Sequence, residues 1–371
     1  MTESGEYRVT TLELFFDLVF VFAITQLTSV LVHELSLKGL AQVALVFGVL
    51  WWMYGGYAWL TNTMPPTSTS RRLLLMVGMA GFLSLALATP TAFTGGGVIW
   101  GLGYLVVVLV HGGLYFQVNR NIVRVLPTNG AAALAVIGAG VVRHGWGVYA
   151  LWTLALLIPI VGPYFIKVEQ NFSLNADHIV ERYGLAVLIT FGESVVAIGI
   201  GVSAVELDGK TVIAAVLALA LVGALWWSYF ARDDEVAVES LNRAATGPRT
   251  TMVLYGYYYA HLPLVIGIIG VAAGLKKVLG HAWSPLHGFP AALALAGGVA
   301  LYLVGDAWFR GILKIGPSPV RLVAAALSLA TIPLSRWFGE AEVVALVVIL
   351  ATMLVIEGRA MAPDPATTWD N

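Results

Sequence analysis

Two carboxylates lie in an otherwise apolar stretch near the start of the chain, LELFFDLVFVFAITQL, at residues 12–27. Glu13 and Asp17 are four residues apart, which places them on the same face of a helix. A second apolar stretch, FGESVVAIGI at residues 191–200, carries Glu193. Inside a membrane a charged carboxylate costs on the order of 2.5–3.5 kcal/mol on insertion scales, so it should face a bundle interior, take a partner or bind a proton. Glu13, Asp17 and Glu193 are therefore candidates for titratable groups that line a polar pathway.

The same acids also have a structural interpretation. A carboxylate inside a helix bundle can serve only to hold two helices together through an ion pair, and basic residues are available nearby. Arg182, for example, precedes Glu193 by about three helical turns. The residue types alone leave both interpretations open.

A few other polar side chains also lie within apolar stretches. His261 in YYYAHLPLVIG and Asp306 in LVGDAWFR could bind or relay a proton, or could form ordinary hydrogen bonds between helices. Gln26 and Ser194 could supply coordinating oxygens along the same pathway, although hydrogen bonding between helices is the more usual role of such residues. We therefore add these four residues to the pathway candidates.

The composition identifies the environment in which these groups act. Of the 371 residues, 59% are hydrophobic and only 11% are charged, and the mean hydropathy is +0.85. Long apolar stretches recur along the whole chain, which predicts an all-α, polytopic membrane protein. The lipid bilayer is its expected partner, and a monovalent cation or a proton is its expected ligand. The oligomeric state stays open.

Several classes of chemistry are excluded or disfavoured. The chain has no cysteine, so disulfides, thiolate metal sites and thiol catalysis are excluded. It also lacks a phosphate-binding P-loop, a His-Glu-x-x-His zinc motif and a Gly-x-Ser-x-Gly nucleophile motif. A net charge of -1 disfavours nucleic-acid binding. We expect no cofactor, no metal and no catalytic residue.

Apolar windows between polar loops predict twelve membrane-spanning helices. They cover residues 12–32, 41–61, 72–90, 98–118, 129–142, 147–166, 179–203, 211–231, 249–274, 290–312, 319–335 and 340–358. The window at 129–142 is shorter than the roughly 20 residues that cross a bilayer, so we expect a tilted, broken or re-entrant segment there. Most of the 20 Lys and Arg residues fall on the same side as the N-terminus, which predicts that both termini are cytoplasmic.

Two pairs of segments have similar residues at similar spacing, which indicates an internal duplication. They are FFDLVFVFAI at 15–24 with FGESVVAIGI at 191–200, and WWMY at 51–54 with WWSY at 226–229. This alignment matches Asp17 with Glu193 and divides the chain into two six-helix repeats, at 1–170 and 171–371. Because six is even, the two repeats should run in the same direction across the membrane. We expect the first and seventh helices to be innermost.

The chain resembles the bacterial low-temperature-requirement A (LtrA) family. The similar segments are ELFFDLVFVFAITQLT at 13–28, ERYGLAVLITFGESVVAIG at 181–199 and YYYAHLPLVIGIIGVAAG at 257–274. The resemblance runs over nearly the whole chain. It implies a multi-pass protein of the bacterial inner membrane, linked by its family name to growth in the cold.

A weaker resemblance is to potassium and proton channels that carry a Phe-Ser-Asp motif at the start of each six-helix repeat. FFD at 15–17 and FGE at 191–193 lie at similar places. Phe16 and Gly192 replace the serine of that motif, and Glu193 replaces the aspartate. This resemblance implies the same doubled six-helix plan.

Two functions from different classes follow from these observations. We favour a permeation protein, channel-like or transporter-like, for a cation, a proton or a small solute, with an acid on the first helix of each repeat. The alternative is a membrane-embedded enzyme that acts on a lipid or isoprenoid, with Asp17 or Glu193 as acid or base beside His261. The enzyme would need its polar groups close together, whereas a pathway needs them spread across the membrane.

Overall fold

The structure, a computed structural model, describes residues 9–118, 120, 122–166, 174–284, 289–316 and 318–360. Within these ranges all regular secondary structure is helical, and there is no β-strand. Ten helices are long and apolar enough to cross a membrane. The prediction of an all-α, multi-pass membrane protein is therefore confirmed.

Fourteen α-helices are present in the described ranges. They are α1 (Thr11–His33), α2 (Leu37–Thr63), α3 (Thr69–Ala88), α4 (Gly97–Phe116), α5 (Ile122–Val142), α6 (Trp146–Ile166), α7 (Ala176–Val202), α8 (Gly209–Phe230), α9 (Asp233–Arg243), α10 (Thr246–Val253), α11 (His261–Leu279), α12 (Phe289–Leu313), α13 (Pro319–Ala330) and α14 (Gly339–Ala360). A π-helical segment, Leu254–Ala260, joins α10 to α11, and short 3-10 segments at Thr89–Thr91 and Ile332–Arg336 follow α3 and α13.

The lengths of α5 and α13 differ from the sequence prediction in opposite directions. The expectation of a broken or re-entrant segment at 129–142 is wrong, because α5 is a continuous helix of 21 residues that includes Pro127. Polar residues in its first turns had hidden its start. The short element is instead α13, which has 12 residues and gives way to a 3-10 segment that contains Pro333. Proline cannot supply the amide that an α-helix needs there.

The pattern of neighbouring helices repeats along the chain. In the first half α1 packs on α3, and α3, α4, α5 and α6 pack in succession, with α2 against α6. In the second half α7 packs on α11, and α11, α12, α13 and α14 follow in succession, with α8 against α14. Two repeats of six spans would produce this pattern. The boundaries of the repeats stay a prediction.

The expectation that the first and seventh helices are innermost is wrong. In an apolar window of 18 residues from each span, 72% of the residues are buried in α2 and in the span that contains α11, whereas 50% are buried in α1 and in α7. One face of α1 exposes Phe15 and Leu18, and one face of α7 exposes Val195 and Val196. The opposite faces of α1 and α7 carry the polar residues and pack against each other, α2 and α11. Apolar side chains can face lipid, but charged ones cannot do so cheaply.

Candidate functional site

Glu13, Asp17, His178 and Arg182 form two polar contacts between α1 and α7; we call them the α1–α7 cluster. The Oε1 atom of Glu13 lies 3.0 Å from Nε2 of His178, and Oδ2 of Asp17 lies 2.9 Å from Nη1 of Arg182. All four side chains are at most 1% exposed. The acids predicted from the sequence are therefore paired, and their partners come from a helix 165 residues away.

Helix geometry explains why these four residues meet. Glu13 and Asp17 are the third and seventh residues of α1, and His178 and Arg182 are the third and seventh residues of α7. Residues four apart share a face of a helix. The two contacts occur in the same order along both helices, so α1 and α7 run parallel and start at the same level. Each helix thus supplies one kind of partner, acids from α1 and bases from α7.

Hydrogen bonds of Asn62 indicate which ring nitrogen of His178 carries the hydrogen. The backbone N–H of Asn175 donates to Oδ1 of Asn62 at 3.1 Å, which fixes the orientation of that amide. Nδ2 of Asn62 therefore faces Nδ1 of His178, at 3.2 Å, as a donor. Nδ1 must then accept, which leaves the hydrogen on Nε2 to be donated to Glu13. The network assigns a neutral His178 whose N–H points at a carboxylate.

The acids of the cluster have further donors. The hydroxyl of Thr10 donates to Oε2 of Glu13 at 2.8 Å, and the backbone N–H of Thr10 donates to the same oxygen at 2.9 Å in the capping box that starts α1. The hydroxyl of Tyr54 donates to Oδ1 of Asp17 at 3.1 Å. The cluster thus extends from α1 and α7 to the interior helix α2.

A small cavity adjoins the cluster. Its volume is about 10 Å³, and Glu13 and Arg182 are among its lining residues together with Phe16, Tyr57 and Thr61. The buried Nε atom of Arg182 has no hydrogen-bond partner among the residues that the structure describes. A cavity of this size is close to the minimum that holds one water molecule. There is room for water but not for a hydrated metal cation.

Glu193 lies in the same interface, but far from the cluster. It is the eighteenth residue of α7, eleven residues beyond Arg182, or about 16 Å along the helix axis. Its Oε2 atom accepts a hydrogen bond of 2.6 Å from the hydroxyl of Thr25 on α1. Lys276, near the end of α11, is close enough to interact electrostatically with it. Glu193 thus belongs to a second level of contact between α1 and α7.

The sequence alignment matches Asp17 with Glu193, but these two residues lie at different depths along the packed helices α1 and α7. Where the two helices lie side by side, Asp17 is beside Arg182 and Glu193 is beside the segment around Thr25. In this register ITQLTSV at 24–30 faces ITFGESV at 189–195, and four of the seven residues are identical. That local identity was the signal that sequence reasoning missed.

The other α1 and α7 candidates are less well connected. Ser194 is fully buried, and its hydroxyl has no hydrogen-bond partner in the part of the chain that the structure describes. Gln26 is half-buried on α1, two residues before Thr28. Neither residue contacts the α1–α7 cluster through a hydrogen bond given by the structure. Both lie at the level of Glu193.

His261 lies in an aromatic environment in the centre of the bundle. It follows the π-helical segment, which leaves the carbonyl of Gly256 to accept from Nδ1 of His261 at 2.8 Å. Nε2 then accepts from the hydroxyl of Tyr229 at 2.9 Å. The rings of Tyr257 and Phe309 lie 5.1 and 5.0 Å from the imidazole. His261 is a neutral, fully bonded histidine, and π-helical turns of this kind are frequent at functional sites.

Asp306 belongs to a separate set of buried ion pairs, which we call the arginine cluster. It consists of Asp233, Asp306, Arg310, Arg321 and Glu357. Arg321 binds Glu357 through two hydrogen bonds of 2.9 Å and also contacts Asp306. Arg310 lies 2.6 Å from Asp233, the first residue of α9. Because every acid has an arginine partner, the cluster ties α9, α12, α13 and α14 together.

The candidates therefore fall into four places. Glu13 and Asp17 share the α1–α7 cluster, Glu193 lies deeper in the same interface, His261 lies in the aromatic centre, and Asp306 lies in the arginine cluster. Among the described residues no group of three or more His, Asp or Glu side chains is arranged to hold a metal ion. The sequence singled out the acids and offered Arg182 only as a structural partner near Glu193; it did not single out Arg310, Arg321 or His178 as partners.

A larger cavity lies at the opposite end of α1. Its volume is about 190 Å³, and its lining includes Leu27, Lys38, Gln42, Thr89 and Phe93. None of the pathway candidates lines it. It is smaller than the clefts that usually hold drug-sized ligands.

Comparisons with known proteins give one consistent result. The family model described as "Bacterial low temperature requirement A protein (LtrA)" matches residues 8–357. An uncharacterized protein of Rhizobium meliloti (strain 1021) is 30% identical over 315 residues, which cover 80% of this chain and 76% of that protein. The family match extends over the two clusters and the segment that carries Glu193.

Proposed function

The chain belongs to the bacterial low temperature requirement A (LtrA) family, and we propose that this multi-pass membrane protein is a permeation protein that carries protons between α1 and α7. One observation carries the proposal. Polar side chains of α1 and α7 meet at two levels about 16 Å apart, at the α1–α7 cluster and at the contact between Thr25 and Glu193. Ionisable residues at such positions commonly mark proton or ion pathways.

A proton fits this interface better than a metal cation does. Asp17 is held by Arg182 and Tyr54, and Glu13 by His178 and Thr10, so a cation would have to displace these donors. The adjoining cavity of about 10 Å³ has no room for a hydrated ion. A proton needs only hydrogen bonds and a few water molecules.

The residues then have distinct roles. Glu13 and His178 form the entry, because their contact lies in the first turn of α1 and of α7 and a proton can move along the hydrogen bond that joins the two side chains. Asp17 receives it within the cluster, and Arg182, which stabilises the charged carboxylate, favours its onward release. Glu193 is the acceptor at the deeper level. Water must enter between the two levels during transport, since direct contacts do not bridge them.

We further propose that the protein acts in the bacterial inner membrane with both termini in the cytoplasm. The uneven distribution of Lys and Arg supports this orientation. It puts the α1–α7 cluster at the cytoplasmic end of the pathway, because the cluster lies within the first two turns of α1 and α7. Proton entry from the cytoplasm and release on the opposite side, or the reverse, are both compatible with this arrangement.

The enzyme alternative has less support. An acid or base would have to reach a bound lipid or isoprenoid beside His261, but Tyr229 and Gly256 already use both imidazole nitrogens. Neither His261 nor Glu193 lines the cavity of about 190 Å³. The polar groups are spread over different levels, as a pathway requires.

The purified protein in liposomes tests the proposal. A potential imposed across the vesicles should drive proton flux, measured with an internal pH-sensitive dye, in the absence of any permeant metal ion except the one that sets the potential. Lipid products are analysed in parallel. Flux of potassium or sodium without proton flux would indicate that the protein carries a metal cation instead of a proton. A lipid product without flux would favour the enzyme.

A further inference from the structure

Glu342 of α14 is a buried acid outside the proposed pathway. It is 0% exposed, and neither of its carboxyl oxygens has a hydrogen-bond partner in the described part of the chain. The backbone N–H of Ala296 on α12 lies near its carboxyl group, but the two do not have the geometry of a hydrogen bond. No residue of the α1–α7 cluster or the arginine cluster forms a hydrogen bond or ion pair with it.

Glu342 lies at the end of the bundle opposite the two clusters. It is the fourth residue of α14. The backbone N–H of Trp283 donates to Oε1 of Glu340, and the indole of Trp283 donates to the carbonyl of Lys210. Lys210 is at the start of α8, the end of that helix farthest from the arginine cluster. The start of α14 is therefore on the opposite side of the membrane from the cluster formed by Glu13 and its neighbours.

The lack of a partner sets Glu342 apart from the other buried acids. The carboxylates that face hydrogen-bond donors are Glu13, Asp17, Glu193, Asp233, Asp306, Glu340 and Glu357. A charge buried without a partner or a hydrogen bond is strongly unfavourable, and the group usually becomes neutral instead. A carboxyl group becomes neutral by binding a proton.

The surroundings favour a proton over a metal cation. Glu340 is two residues away, which turns its side chain by about 200° around the helix, so the two carboxyl groups diverge. No third acid or histidine converges on them among the described residues. The charged residues at this end of the helices packed against α14 are Lys210, Lys276, Lys277 and Arg336. Among the described residues, none of these four side chains forms an ion pair or a hydrogen bond with Glu342.

We propose that Glu342 is a second proton-binding site of this membrane protein, separate from the α1–α7 interface and occupied by a proton in the state described. The bound proton makes the carboxyl group neutral, so it can lie in the apolar contact between α14 and α12 without the cost of a buried charge. Release of that proton requires water to reach the start of α14, which links the site to the side of the membrane opposite the clusters.

Infrared spectroscopy of the purified protein in lipid tests this proposal without a transport assay. The difference spectrum between the natural protein and Glu342→Gln at neutral pH should contain the carbonyl band of one protonated carboxylic acid. Because the amide has nearly the shape of a protonated carboxyl group, the melting temperature should not fall. The pair of carboxylate bands in place of the carbonyl band would overturn the proposal.

A second variant keeps the test decisive if Glu342→Gln does not fold. Glu342→Asp retains an acid, so the carbonyl band should shift in position rather than disappear. Glu340→Gln is the matched control, since it removes the neighbouring acid and should leave the Glu342 band in place. The result is independent of proton flux, so the proposed pathway and this site can fail separately.

Discussion

Asp17 of α1 and Arg182 of α7 occupy the seventh position of two parallel helices and form a buried ion pair of 2.9 Å. Both side chains are 1% exposed. Since neither charge can reach water, each depends on the other, and on Tyr54, for its solvation. The pair therefore joins the helices that start the two halves of the chain. It also puts a titratable group at the proposed entrance of the pathway.

Asp17→Asn should destabilise the protein by about 3–5 kcal/mol, because it leaves the guanidinium of Arg182 buried without a counter-charge. Thermal unfolding in detergent measures the effect. Asp17→Asn combined with Arg182→Met should recover most of the loss, since both charges are then removed. Glu239→Gln, which breaks an exposed pair with Arg243 on α9, should change stability by less than about 1 kcal/mol. An Asp17→Asn protein as stable as that control would contradict the buried pair.

His178 should be neutral with its hydrogen on Nε2. Nitrogen NMR of histidine-labelled protein measures the state of both ring nitrogens, and the loss of the signal in His178→Gln assigns it. Asn62→Asp is the informative partner variant, because a carboxylate facing Nδ1 should draw a second proton onto the ring. A doubly protonated His178 in the natural protein would contradict the network of Asn175, Asn62 and Glu13.

Arg321→Met should destabilise the protein by about 3–5 kcal/mol, because Asp306 and Glu357 lose a shared buried counter-charge. Arg321→Lys should recover part of this loss, since a lysine keeps the charge but cannot make the two parallel hydrogen bonds. Proton flux per folded molecule should stay unchanged in Arg321→Lys. A selective loss of flux with unaltered stability would instead place the arginine cluster in the pathway.

Gly298→Ala should weaken the contact between α11 and α12. A Cβ at Gly298 would lie 2.6 Å from the amide nitrogen of Val271 and 2.8 Å from the carbonyl oxygen of Gly267, so the helices must separate. Overpacking of this kind costs typically about 1–3 kcal/mol. Gly297→Ala is the neighbouring control, because its Cβ would meet only Leu293 at 3.5 Å. Equal melting temperatures for the two variants would contradict the tight packing.

The fold was largely predictable because crossing a membrane needs long apolar stretches, and these are visible in any one sequence. The lengths of the helices were harder to predict where polar residues or prolines interrupt an apolar stretch. Arg124 and Pro127 concealed the start of α5, and Pro333 ends α13 earlier than its hydropathy suggests. The amphipathic helix α9 was missed because its acidic first turn resembles a loop.

The site was only partly predictable. Acids within apolar stretches are conspicuous, so Glu13, Asp17 and Glu193 could be selected directly. Their partners could not be selected, because pairing depends on which helices touch and at which level. The alignment of Asp17 with Glu193 gave the wrong register between α1 and α7, because in the structure Asp17 contacts Arg182. The sequence LYGYYYA, residues 254–260, contains no pattern that predicts the π-helical segment before His261.

The most direct test of the proposed pathway is the proton flux of Glu193→Gln in liposomes, compared with the natural protein and with the exposed control Glu239→Gln. The amide retains the hydrogen bond to Thr25 but cannot release a proton, so flux per folded molecule should fall by roughly tenfold or more. The melting temperature should stay within a few degrees of the natural value. Undiminished proton flux through correctly folded Glu193→Gln would contradict the account that the interface between α1 and α7 carries protons.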